Sequence, residues 1–196
     1  ATAIDVAGGV GAGSRDVDAA GGAGEITDTG GSLSVAGTTT LAAQATDNIT
    51  LDEAANDFDN DDSGDAVTIT SGAAVTLVDV DAIELGAATV SGLYDVTATA
   101  IDVTGAVSAG SLDFDASGGV GEITDTGGSL SVAGTTTLAA QASDNITLDA
   151  AANDFDNDDT GDAVTISSGA AVTLADADSI ELGAVNVGSL VVQFAR

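Results

Sequence analysis

The chain has 196 residues, 32 of them acidic against two arginines and no lysine, which gives a formal net charge of −30. That balance excludes binding to nucleic-acid phosphates or to an anionic membrane surface, both of which need clustered cations. Cys and His are absent, so disulfides, thiolate chemistry, the usual general base and the commonest transition-metal ligand are excluded as well.

Hydrophobic residues make up 44% of the chain, but only Phe58, Tyr94, Phe114, Phe155 and Phe194 are aromatic. Val, Ile, Leu and Ala therefore have to fill the core, and such side chains suit a narrow one. No apolar run approaches the ~18 residues of a membrane-spanning helix, so no membrane insertion is expected. With no Met in the chain, Ala1 is not an initiator position, and the sequence reads as a processed product or as a window of a longer one.

In chain order, short apolar–x–apolar pieces recur at Leu33/Val35, Ile49/Leu51, Val67/Ile69, Val75/Leu77, Ile83/Leu85 and Ile101/Val103. Period-2 alternation of β-branched residues predicts short strands with these side chains inward. Gly, Asp, Asn and Ser between them supply the turns. Glu53-Ala54-Ala55-Asn56 has the composition for one helical turn and no more. Asn48 and Asn145 begin Asn-Ile-Thr strings; in a stacked fold they read as turn caps.

A shift of 97 residues lays the sequence on itself, with 75 of 97 aligned pairs identical. The match is densest between 21–86 and 118–183 and fades at the end. Two copies, 1–97 and 98–194, account for almost the whole chain, and they are expected to form one continuous rod. The fold class expected is all-β: a parallel β-helix, or β-solenoid, in which each rung stacks on the last. Roughly 20 residues per rung gives about ten rungs, and about 4.8 Å per rung gives a rod on the order of 48 Å long.

The strings Gly31-Ser32-Leu33-Ser34-Val35-Ala36-Gly37-Thr38-Thr39-Thr40-Leu41-Ala42-Ala43, Asn48-Ile49-Thr50-Leu51, Asn56-Asp57-Phe58, Ala66-Val67-Thr68-Ile69, Val75-Thr76-Leu77 and Asp81-Ala82-Ile83-Glu84-Leu85-Gly86 resemble the repetitive regions of filamentous-haemagglutinin-type bacterial surface proteins. The resemblance covers essentially the whole chain. It implies a right-handed parallel β-helix, secreted and displayed as a fibre or stalk, and it carries no catalytic residues. The chain departs from that pattern in its acidity and in an acidic insert after Asn-Asp-Phe.

The insert holds the candidate metal ligands. Asp57, Asp59, Asp61, Asp62 and Asp65 recur as Asp154, Asp156, Asp158, Asp159 and Asp162, each set within nine residues that include an Asn and a Gly. Oxygen ligands at alternating positions suit Ca²⁺, which takes six to eight of them. Asp57, Asp59 and Asp61 match the first three ligand positions of an EF-hand-type loop, whereas Gly64 sits at position 8 rather than 6. A plain solvated acidic loop is the competing reading. Asp79/Asp81, Asp176/Asp178 and Asp113/Asp115 read as turn residues or outward strand positions. Arg15 is the one base inside the repeats, and its counterpart in the second copy is Leu112; a duplicated active site without its base is not expected, so the chain is not read as an enzyme.

The function expected is a structural and spacing module of an extracellular or cell-surface bacterial fibre or adhesin, cation-stabilised, whose partners are itself or adjoining repeats stacked end to end. The alternative is an adhesive binding module for a glycan or protein receptor on another surface. Neither terminal rung carries the atypical polar sequence of a solenoid cap.

Overall fold

The computed structural model describes residues 3–61, 64–158 and 160–194. Among these residues there is no helix, and the strands pair in parallel throughout. The predicted inward residues Leu33, Val35, Ile49, Leu51, Val67, Ile69, Val75, Leu77, Ile83 and Leu85 are all buried in one core. Alternation produces this directly, because successive side chains of a strand point to opposite faces.

Two ladders of stacked strands face this core. The first runs through Ile4, Ile26, Ile49, Val75, Tyr94, Leu112, Thr136, Val164 and Leu182. The second runs through Arg15, Thr39, Val67 and Leu85 to Val103, and beside it from Ile83 through Ile101, Ile123, Ile146 and Val172 to Leu190. The chain visits the ladders alternately, which is the path of a solenoid. Levels of the first ladder are 22, 23, 26, 19 and 18 residues apart from Ile4 to Leu112.

The two copies do not stack face on face. Ile26, Ile49 and Val75 stand in the first ladder, while their equivalents Ile123, Ile146 and Val172 stand in the second. Conversely Thr39 and Val67 belong to the second ladder, and Thr136 and Val164 to the first. Each 97-residue copy therefore winds through a half-integral number of turns, and its successor is rotated by half a turn about the stacking direction.

A short third side completes some turns. In the first copy Val10–Ala12 pairs with Leu33–Val35, and Ser34 bridges to Asp57. In the second, residues 106–109 pair with Ser129–Val132, and Ser131 bridges to Asp154. This side follows the first ladder in copy one and the second ladder in copy two, so it lies on opposite flanks of the core.

Strand lengths depart from expectation at two places. Ala82–Thr97 and Ala106–Ala116 are long strands. They run on across bulges rather than through turns, Ala82–Thr97 from the second ladder to the first and Ala106–Ala116 from the third side to the first ladder, with Gly92 and Gly110 at the shift in register. Residues 53–56 form a plain turn instead of a helical one, with the Asn56 N–H donating to the Glu53 carbonyl (2.9 Å).

Buried polar groups hold the turns. The Asp28 carboxylate accepts from the Asn56 side-chain amide (2.6 Å) and from the N–H groups of Asp52 (3.1 Å) and Glu53 (3.3 Å), while Asn56 Oδ1 accepts from the Leu33 N–H (2.9 Å). Asp125, Asn153 and Leu130 repeat the arrangement at 2.7 and 2.9 Å. Asn48 and Asn145 cap turns as expected, accepting from the N–H groups of Ala74 and Ala171 (both 3.2 Å).

Candidate metal centre

Each acidic insert begins where the third side ends. The Asp57 N–H donates to the Leu33 carbonyl (2.9 Å) and its own carbonyl accepts from Val35 (2.8 Å). Phe58 then turns into the core, fully buried, with its N–H donating to Asp79 Oδ2 (2.8 Å). Asn60 fastens the next step: its N–H donates to the Val35 carbonyl (2.8 Å) and its side-chain amide to Ser34 Oγ (2.5 Å). Held on both sides, Asp59 is only 7% exposed. Its Oδ2 accepts from the Gly64 N–H (2.6 Å) and the Asp65 N–H (3.2 Å), which folds the loop back on itself. Gly64 has φ +85°, the left-handed region that glycine enters without steric cost.

The fold-back brings carboxylate oxygens of Asp59, Asp61 and Asp65 within 4.8 Å of one another. Asp156, Asp158 and Asp162 form the same group in the second copy. There Gly161 has φ +87° and donates to Asp156 Oδ2 (2.8 Å), and Asn157 donates to Ser131 Oγ (2.6 Å). Three anionic oxygen donors at this spacing can hold a metal ion, and the hard oxygen set favours Ca²⁺ or Mg²⁺ over softer metals.

Six of the ten sequence-predicted ligands thus converge, three in each copy. Asp57 and Asp154 do not join them, because both occupy the backbone bridge to the third side. The EF-hand comparison places the first ligand one step too early for that reason. Asp62 and Asp159 lie outside the described residues.

Sequence reasoning missed Glu84 and Glu181. A Cβ added at Gly64 would lie 2.9 Å from Glu84 Oε1, and one at Gly161 would lie 3.2 Å from Glu181 Oε2. Burial, with the charges of Asp102, Asp59 and Asp65, pushes the Glu84 carboxyl above its usual range. The signal was available: only five Glu occur in the chain, and these two are 97 residues apart. Beside the first cluster an open groove of about 320 Å³ is walled by Glu84, Asp102 and Glu122, so this flank is anionic well beyond the loop itself.

Asp79 and Asp176 sit at turns as expected, each accepting from the N–H two residues on (Asp81, 2.9 Å; Asp178, 3.0 Å), and both are buried, holding the Phe58 and Phe155 N–H groups (2.8 and 3.0 Å). Burial pushes the Asp79 carboxyl up to about 7, against the opposing effect of the N–H donors of Phe58 and Asp81. Asp113 and Asp115 alternate with buried Leu112 and Phe114, as read from the sequence.

An all-β repeat architecture with parallel stacked strands, duplicated turn networks and acidic loops defines a solenoid-like repeat protein. The family described as Repeats of unknown function (DUF5649) matches residues 1–70, 71–120 and 103–162, and the chain belongs to it. The third match covers the equivalent, in the second copy, of residues 6–65. This family carries the repeat character and no link to haemagglutinin-type adhesins. No curated protein and no solved structure matches the chain.

Proposed function

We propose that this chain is a structural and spacing module: a right-handed β-helical rod that extends an extracellular bacterial fibre or adhesin of filamentous-haemagglutinin type, with acidic loops that bind Ca²⁺. Right-handedness follows from the strong preference of strand–crossover–parallel strand connections. Four and a half turns in each copy make nine rungs in all, one fewer than roughly 20 residues per rung would give. Ca²⁺ is the ion of choice because the loop offers oxygen ligands alone, carboxylates that can bind through one or both oxygens, which suits its variable coordination better than the strict octahedron of Mg²⁺.

One observation carries the reading: the duplication preserves scaffold. The Asp28–Asn56–Leu33 set recurs as Asp125–Asn153–Leu130, and Asp79–Phe58 recurs as Asp176–Phe155. The one base within the repeats does not recur, since Arg15 becomes Leu112. A chain that repeats its turn-holding groups and not its reactive ones is built for length.

Solution scattering tests this. Each added 97-residue copy should lengthen the particle by about 22 Å at unchanged cross-section, four and a half turns at about 4.8 Å each. A three-copy chain that grows in width, or that folds into separate globules, would reject the spacer reading.

A further inference from the structure

The groove beside the first acidic loop lies on the outer face of the second ladder, where the two copies meet. Residues 82–84 stack on residues 100–102, and residues 101–102 stack on Ile123–Thr124. Alternation turns Ile83, Ile101 and Ile123 into the core and leaves two outward columns. One column is Ala82, Ala100 and Glu122, the last placed by the Ile101 N–H, which donates to the Glu122 carbonyl (3.1 Å). The other is Glu84, Asp102 and Thr124. Methyl side chains beside longer ones leave a trough of about 320 Å³, with an alanine floor and carboxylates along one wall and at one end. Val80 and Val120, 50% and 85% exposed, stand two residues before Ala82 and Glu122 and add apolar surface on the same side of both strands.

We infer that this groove docks an arginine-bearing segment of a partner protein, with the arginine stems on Ala82 and Ala100 and the guanidinium groups on Glu84, Asp102 and Glu122. The inference goes beyond the spacer reading and does not depend on a cation in the loops. Charge decides the occupant. A second copy of this chain brings a charge of −30 and only two arginines, so self-docking here is opposed. A neutral apolar segment would cover the carboxylates without compensating them. Arginine satisfies both parts of the trough: its methylenes cover apolar surface, and its planar fork meets carboxylates in pairs.

Two of the carboxylates are set in place before a partner arrives. Asp102 accepts from Thr124 Oγ1 (2.8 Å) and from the Thr126 N–H (3.0 Å), and Glu122 accepts from the Asn145 side-chain amide (2.8 Å). These donors are neutral, so the negative charge stays, and side chains already fixed lose less rotamer freedom on binding. Glu84 is crowded by like charge: burial, then Asp102, Asp59 and Asp65, raises its carboxyl. Glu84 and Asp102 stand one rung apart, about 4.8 Å, so one guanidinium between them relieves that crowding. Glu84 belongs to the first copy and Asp102 and Glu122 to the second; the site is made by the junction of two copies.

Fluorescence anisotropy of a labelled Gly-Arg-Gly-Arg-Gly peptide, titrated with the 196-residue chain in EDTA, tests the site. Binding should saturate and should weaken as NaCl rises. Glu84→Gln combined with Glu122→Gln should weaken it roughly tenfold. Asp52→Asn combined with Asp149→Asn removes the same charge from exposed acids that do not line the groove, and should change it by less than about twofold. Ala82→Leu fills the floor and leaves the charge, and should weaken binding by roughly fivefold or more. A peptide with diaminopropionic acid in place of arginine keeps both charges but lacks the stems and the fork, and should bind the wild-type chain several-fold more weakly. No saturable binding to the wild-type chain overturns the inference. So does equal weakening by the two double variants, or wild-type affinity in Ala82→Leu, because the peptide would then answer to overall charge and not to the groove. The spacer reading stands in each case.

Discussion

Asn56→Ala should be among the most damaging changes available in this chain. Asn56 is fully buried and joins the Leu33 N–H to the Asp28 carboxylate, which without it keeps only the Asp52 and Glu53 N–H donors. Its Oδ1 accepts from the Leu33 N–H at 2.9 Å, and its amide donates to Asp28 Oδ2 at 2.6 Å. Removing the acceptor leaves a buried N–H unsatisfied, at about 1–3 kcal/mol, and removing the donor takes a charge-assisted bond worth about 1.5–3 kcal/mol from a buried carboxylate. Together the loss is about 4 kcal/mol, or roughly 8–16 °C in melting temperature for a chain of this size. Hydrogen exchange should localise it: protection falls at Leu33 and its neighbours and is kept at Leu130, where Asn153 makes the same bond. Asn56→Asp keeps the shape but sets a second carboxylate against Asp28; it should be as destabilising near neutral pH and recover as pH falls towards the carboxylate range. A loss below about 1 kcal/mol for Asn56→Ala, or an equal loss of protection in both copies, would refute the reasoning that this pair holds its own turn.

Tyr94→Phe should stabilise the fold by about 1 kcal/mol, because the buried hydroxyl has no hydrogen-bond partner among the described residues while the edge-to-face contact with Phe114 (5.9 Å, 76°) is kept; a clear loss on denaturant unfolding would contradict this. The folded-state carboxyls of Asp79, Glu84, Asp95 and Asp113 lie above their ordinary values, so the folded chain binds more protons than the unfolded one. Stability should therefore fall as pH rises from about 4 through about 7, and Asp79→Asn should flatten that profile; a melting temperature that climbs over this range would refute it. Ca²⁺ should raise the melting temperature with ion concentration as mass action requires, and Asp59→Asn or Asp156→Asn should each remove one of two sites in a calorimetric titration. An equal rise from NaCl at matched ionic strength would mean screening alone.

The strands were legible because alternation acts over three to five residues: Leu33/Val35 and Ile49/Leu51 announce their inward face locally. Features made between turns were harder to read. Asn56 looks like part of a helical turn until Asp28, one turn away, supplies its partner. Glu84 meets the acidic loop only because the chain returns to that flank 20 residues after Gly64. Asp57 satisfies the ligand spacing but is claimed by the bridge to Ser34, a backbone contact that no spacing of carboxylates encodes. The offset between copies was invisible for a related reason. It depends on the sum of many unequal turn lengths, and no single residue carries that sum.

That half-turn offset decides how the two acidic loops affect each other. They face opposite flanks and stand about 22 Å apart along the stacking direction. The screening length at physiological ionic strength is about 8 Å. A cation arriving at Asp59 is therefore not sensed at Asp156, although the two loops are near-identical in sequence. Under the cation binding proposed above, occupancy should follow a simple hyperbola, without threshold and without cooperativity, each loop titrating as an independent unit.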